Sequence, residues 1–62
     1  MNRKRLKQER AQKKLTQEDV AKYLSITVRA YQRLESGETL GSITHWDKLE
    51  DLFNVPQRAL RG

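Results

Sequence analysis

Two helix-start signals, Thr16 and Thr27, followed by one helix stop, Gly37, constrain this chain more than any other feature. Thr16 and Asp19 have the T-x-x-D spacing of a capping box, with Asp in place of the commoner Glu or Gln. Glu18 and Asp19 put negative charge in the first turn, where the helix dipole favours it. Val20, Ala21 and Leu24 then share one face at i, i+1 and i+4. Ser25 and Ile26 interrupt the pattern, Thr27 can cap a second helix, and Tyr31 and Leu34 form an apolar pair at i, i+3. Glycine at position 37 ends that helix, because it takes positive φ without strain. The pattern therefore predicts two short helices joined by a tight turn, the spacing of a helix-turn-helix over residues 17–36.

The flanking segments also read as helical. Residues 2–14 carry strong helix formers with Asn2 as a candidate N-cap, and this helix should rest on Leu6, Ala11 and the methylene stem of Arg10. After a loop at 38–41, Ser42 is the next N-cap, and Ile43, Trp46, Leu49, Leu52 and Phe53 form an apolar stripe. His45 should sit exposed in the first turn of that helix. Pro56 fits the first turn of a last short helix whose Leu60 faces inward. The expectation is an all-α fold, a compact five-helix bundle forming one domain over 1–62.

Size and composition narrow the function. A chain of 62 residues buries only about 60% of its unfolded surface, so its stability is marginal. Without cysteine there is no disulfide or thiolate zinc site, and one histidine cannot hold a metal alone, so helix packing or dimerisation must supply stability. No apolar run approaches the roughly 20 residues of a membrane span, and the basic N-terminus has no apolar stretch after it. A cytoplasmic protein without cofactor or metal is expected. So small a core leaves little room for a small-molecule pocket, and no nucleophile–base pair or phosphate-binding glycine loop suggests an enzyme. Residues 1–33 hold ten basic and three acidic side chains, whereas residues 34–62 hold three and five. This asymmetry suits a polyanion partner, although solvated surface charge would also account for it.

The run Leu15-Thr16-Gln17-Glu18-Asp19-Val20-Ala21, followed by Leu24, Ile26, Tyr31, Leu34, Glu35 and Gly37, resembles the phage-repressor and Cro-type (XRE) helix-turn-helix domains. Ser42, Leu49, Leu52 and Val55 match the later part of the pattern. LTQ alone is common; LTQEDVA with LESG at this separation is specific. The resemblance implies a lambda-repressor-like fold whose third helix enters the major groove, so that its N-terminal side chains meet base edges. Arg29 and Arg33 lie on one face and can each pair with guanine; Val28 can touch a thymine methyl, and Gln32 can read adenine or bind phosphate. Outside this pattern both arginines would read as ordinary solvated helix charges. The resemblance further implies phosphate contacts from Gln17, Thr27 and Ser36, and an ion pair between Arg10 and Glu35 joining the first and third helices.

The sequence departs from the pattern in places. Ser25 stands where the turn often has glycine, and must accept a strained or modified backbone. Glu38, Leu40 and Gly41 replace residues that are often basic, while Arg3, Lys4, Arg5 and Lys7 offer compensating charge on the first helix. Tyr23 faces away from the Val20–Leu24 stripe, either toward solvent or toward a partner. The expected function is sequence-specific binding of double-stranded DNA as a transcriptional regulator, most simply a phage or bacterial repressor. A homodimer formed through residues 55–60 would bind a pseudo-palindromic operator. The rivals are a protein-interaction module that keeps the fold, such as an anti-repressor or inhibitor, and an antitoxin. Fold alone does not choose among them.

Overall fold

Local chemistry at the helix ends sets the architecture of the computed structural model, which describes residues 2–61. Met1 and Gly62, the ends of the expected 1–62 unit, lie outside the described residues. Among the described residues five helices follow one another: α1 (Lys4–Gln12), α2 (Gln17–Leu24), α3 (Val28–Ser36), α4 (Ile43–Phe53) and α5 (Gln57–Arg61). Thr16 and Asp19 form the reciprocal capping box at the start of α2, with bonds of 3.1 and 2.9 Å. The hydroxyl of Thr27 accepts from the Ala30 N–H, and that of Ser42 from the His45 N–H. Each side chain satisfies a donor that the first helical turn leaves without an intrahelical partner.

The helix stops are left-handed. Ser25 (φ 60°), Gly37 (φ 91°) and Asn54 (φ 56°) end α2, α3 and α4. Ser25 thus adopts the glycine-like conformation itself, at a modest backbone cost that asparagine and glycine avoid more easily. Pro56 stands one residue before α5 rather than inside it, and its carbonyl accepts from the Ala59 and Leu60 amides.

The helices enclose one core of Leu6, Val20, Ala21, Leu24, Tyr31, Leu34, Trp46, Leu49, Phe53 and Leu60. Helix α2 packs on α3, while α1 touches α3 and α5, and α4 touches α5. Ala21 is buried where α2 and α3 come together, and Ile26, Val28, Leu15, Leu52 and Val55 close the edges of the core. No helix among the described residues is long and apolar enough to cross a membrane.

Several expectations are corrected. Helix α1 begins at Lys4, and Arg3, not Asn2, occupies the N-cap position, with no side-chain cap bond. The reason is tertiary: the Arg3 amide donates to the Glu35 carbonyl at 2.9 Å, which sets where the helix can start. At the other end Lys13 and Lys14 leave the helix, Lys14 with φ 57°. Ala11 is exposed, so α1 rests on Leu6 with Arg3 and Arg10 beside it. Ile43 is 73% exposed although it continues the apolar stripe; the buried face of α4 is Trp46, Leu49 and Phe53. His45 is half-buried rather than exposed, and Tyr23 is 43% exposed.

Arg3 itself is buried rather than part of a solvated basic face. Its Nη1 donates to the carbonyls of Leu34 and of Thr39 (2.8 Å), and its Nε to the carbonyl of Arg61 at 3.3 Å. The guanidinium carbon lies 5.1 Å from the Trp46 ring centroid, within cation–π range. Burial, and secondarily the charge of Arg61, lower its pKa from the ordinary arginine value, yet so basic a group stays charged. One side chain thereby joins both ends of the described chain to the end of α3. Gly41 completes this corner. It has φ 75°, and a Cβ there would stand 2.5 Å from Leu34 Cδ1 and 2.9 Å from Trp46 Nε1. The Trp46 indole N–H in turn donates to the Leu40 carbonyl at 2.8 Å.

Two substitutions test this corner. Arg3→Met removes the guanidinium from buried carbonyls and should cost about 1–3 kcal/mol. That corresponds to a melting midpoint at least about 4 °C lower in a domain of this size; Arg3→Lys, which lacks the fork, should restore little. Gly41→Ala should cost a further, separate 1–3 kcal/mol or so through positive φ and the closed space above it. Thermal melts followed by circular dichroism check both, and an unchanged midpoint in either variant would contradict the packing described.

Candidate nucleic-acid interface

Helix α3 divides cleanly between an inward and an outward face. Tyr31, Leu34 and Glu35 are buried, which leaves Arg29, Gln32 and Arg33 exposed on the other side. Val28 is half-buried, its side chain shared between the core edge and the outer face. Together with Ser36 and Glu38, these residues line one open concavity along α3. Two guanidinium forks, one carboxamide and one methyl-bearing side chain therefore share a single surface, the donors and apolar contacts that base edges in a major groove can receive.

The other singled-out residues lie around this face. Gln17, at the start of α2, is half-buried: its Nε2 donates to Glu35 Oε1 at 3.1 Å, and its Oε1 accepts from Gln32 Nε2 at 3.2 Å. Thr27 is exposed, and after accepting from Ala30 its hydroxyl proton is still available to a ligand. Ser36 is half-buried and donates to the Arg33 carbonyl at 3.1 Å, so it must rotate to reach anything outside. Arg33 Nε stands 3.8 Å from Glu38 Oε2, both side chains half-exposed or more.

Behind the outward face lies a buried polar centre. The Glu35 carboxylate accepts from Arg10 Nε (2.8 Å) and the Tyr31 hydroxyl (2.7 Å) on Oε2, and from Gln17 Nε2 and Arg10 Nη2 (3.4 Å) on Oε1. Arg10 Nη1 also donates to the Leu15 carbonyl at 2.9 Å, pinning the turn between α1 and α2. Burial alone would raise the Glu35 pKa. Hydrogen bonds from Arg10, Tyr31 and Gln17 outweigh it and hold the carboxyl below its ordinary value. The same bond with Glu35 raises Arg10, against its own desolvation. Burial and the neighbouring carboxylate push the Tyr31 phenol well above its usual range. Among the described residues, no buried side-chain nitrogen or oxygen lacks a partner.

Sequence reasoning placed Arg10 beside Glu35 by resemblance alone and did not find that Tyr31 and Gln17 complete the set. Tyr31 lies one helical turn before Glu35, a spacing that could have signalled the bond. The bond between Gln17 and Gln32 carried no local signal, because it needs the α2–α3 packing to exist.

A family model described as helix-turn-helix matches residues 6–56, which include all of α2, α3 and α4. This chain belongs to that family, the XRE or lambda-repressor type of DNA-binding transcription regulator. Searches among curated proteins and among solved structures returned no match.

The polar centre makes a pH prediction. The folded Glu35 pKa lies below 4.5, its ordinary value, so the carboxylate's contribution to stability is complete above about that pH. It is lost as pH falls through the lowered folded value. Asp19, lowered first by the Thr16 amide bond, acts in the same direction. The melting midpoint should therefore fall between pH 5 and roughly pH 2–3, a window set by carboxylate titration. An NMR titration of the Glu35 side-chain carbon should place its midpoint below 4.5; a value at or above the ordinary one would contradict the network.

Proposed function

We propose that this chain is a sequence-specific repressor domain that reads one operator half-site per subunit with α3. The observation that carries this is the outward face of α3, where Arg29, Gln32 and Arg33 line one open concavity while the opposite face is locked into the core. In this reading the whole chain acts as one domain. Arg29 and Arg33 each bond end-on to guanine O6 and N7, Gln32 contacts adenine or a neighbouring phosphate, and Val28 meets a thymine methyl.

Phosphate contacts come from the ends of the two central helices. Gln17 has a second amide proton free after bonding Glu35, and Thr27 has its hydroxyl proton, both beside helix N-termini whose dipole and amides suit phosphate. Ser36 contributes after rotating away from the Arg33 carbonyl. The bond between Gln17 and Gln32 links a backbone contact to a reading side chain, which holds both in place before DNA arrives. A homodimer on a pseudo-palindromic site supplies the second half-site. Its contact is assigned to 55–60, where Pro56 and Arg58 are exposed, Val55 half-buried and Leu60 committed to the core. The cytoplasm of a bacterium or phage-infected host is the matching compartment. This is binding chemistry, without catalysis or cofactor.

A second reading, a protein-interaction module such as an inhibitor or antitoxin, is favoured by Leu40 and Ile43. Both are apolar and more than 70% exposed, Leu40 in the loop before α4 and Ile43 at the start of that helix.

Binding to selected and scrambled duplexes at two salt concentrations separates the readings. Arg29→Ala and Arg33→Ala should each cost about 1–3 kcal/mol at the selected site and relax one base position. Gln17→Ala should weaken all duplexes alike, because a phosphate carries no sequence information. Affinity should fall with salt as counterions are released. Equal, weak binding to every duplex, unaffected by the two arginine changes, would sink groove reading and favour the protein partner.

A further inference from the structure

Resting on the groove-reading function, we propose that Glu38 is a positioning residue for Arg33 that sets base selectivity. Two observations carry it. The first is that Glu38 is tied to the Arg33 main chain. Its amide donates to the Arg33 carbonyl at 2.9 Å, and the Gly37 amide donates to the same carbonyl at 3.1 Å, the left-handed ending of α3. The backbone of Glu38 therefore has a fixed place relative to Arg33, on the rim of the same concavity. The second is which nitrogen the carboxylate meets. The nearest is Nε, at 3.8 Å, a charge contact longer than a hydrogen bond.

The choice of nitrogen has a chemical consequence. An arginine can present a phosphate with its side edge, Nε plus one Nη, or present guanine O6 and N7 with its two terminal Nη groups. A carboxylate beside Nε shields the side edge from a phosphate and leaves the end-on fork free. In water so exposed a pair contributes little. Once duplex DNA covers the concavity and water leaves, the same pair strengthens, because the effective dielectric falls. Glu38 thus turns the Arg33 fork toward base edges. Its own charge simultaneously repels phosphates that would otherwise hold Arg33 on any sequence, so discrimination comes from a repulsive element as well as an attractive one. This accounts for an acidic residue at the rim of a face otherwise suited to a polyanion.

The test is Glu38→Gln, which keeps size and removes charge, assayed against the selected duplex, its three variants at the base pair read by Arg33, and a scrambled duplex. Thermal melting should be unchanged, since the side chain is two-thirds exposed. Affinity for the scrambled duplex should rise, while preference at the Arg33 position should fall by a sizeable part of the roughly 5- to 150-fold that one bidentate pair provides. In an Arg33→Ala background, Glu38→Gln should leave base preference untouched. An equal rise for every duplex, with preference intact, would overturn the proposal and reduce Glu38 to a general repulsive charge. A preference change that persists without Arg33 would overturn it too, making Glu38 a direct reader. The groove-reading function fails separately: the parent would then show no preference for the selected duplex, or Arg33→Ala would not alter it, and the Glu38 proposal would fall with it.

Discussion

The carboxylate of Glu35 is the point through which the helix-turn-helix is held to the rest of the molecule. It collects Arg10 from α1, Gln17 from α2 and Tyr31 from its own helix within hydrogen-bond distance. A hydrophobic contact tolerates sliding, because dispersion is nearly indifferent to direction. Hydrogen bonds to the two oxygens of one carboxylate are not, so they define how far α2 can rotate against α3. Such a buried pair adds little net stability over an apolar replacement, but removing one member leaves the other desolvated and unpaired. Its value here is geometric: the angle between α2 and α3 determines whether the ends of both can meet one duplex.

The C-terminal end of α3 is held from the opposite side. Arg3 bonds the Leu34 carbonyl with its side chain and the Glu35 carbonyl with its amide, while its guanidinium lies against Trp46. A short helix of nine residues is poorly stable alone, so these anchors near its C-terminal end, with the Thr27 cap at its start, are what make its exposed face a rigid surface. In a chain of this size that rigidity comes from a few polar anchors around a small core rather than from a large buried area. The cost is that Arg3, one of the basic residues near the N-terminus, is withdrawn from any role in attracting a polyanion. Lys4, Arg5 and Lys7 remain exposed, Arg5 in an i, i+4 pair with Glu9.

Much of the candidate interface was legible before any coordinates. With Tyr31 and Leu34 as the inward pair, the family resemblance turned the start of α3 outward, and Arg29, Gln32 and Arg33 are exposed there. The arrangement of those side chains was not legible. That Gln32 leans on Gln17, or that Arg33 meets Glu38 through Nε, depends on which of several staggered rotamers the surrounding residues permit. The Arg10–Glu35 pair was accessible only through family resemblance, since nothing in the local sequence relates two charges in different helices.

What the sequence determined by itself were the features governed by interactions a few residues long. Thr16, Thr27 and Ser42 begin helices because each hydroxyl reaches an amide three residues ahead, and Gly37 ends one because it lacks a Cβ. Tertiary structure alone decided the burial of Arg3, whose bonds reach 31 and 58 residues along the chain. It also decided the need for glycine at 41, where Leu34 and Trp46 close the space, and the exposure of Ile43, which periodicity assigned to the core. The physical reason is common to all three: a cap or turn is satisfied within its own segment, whereas burial depends on which other segment arrives to cover it.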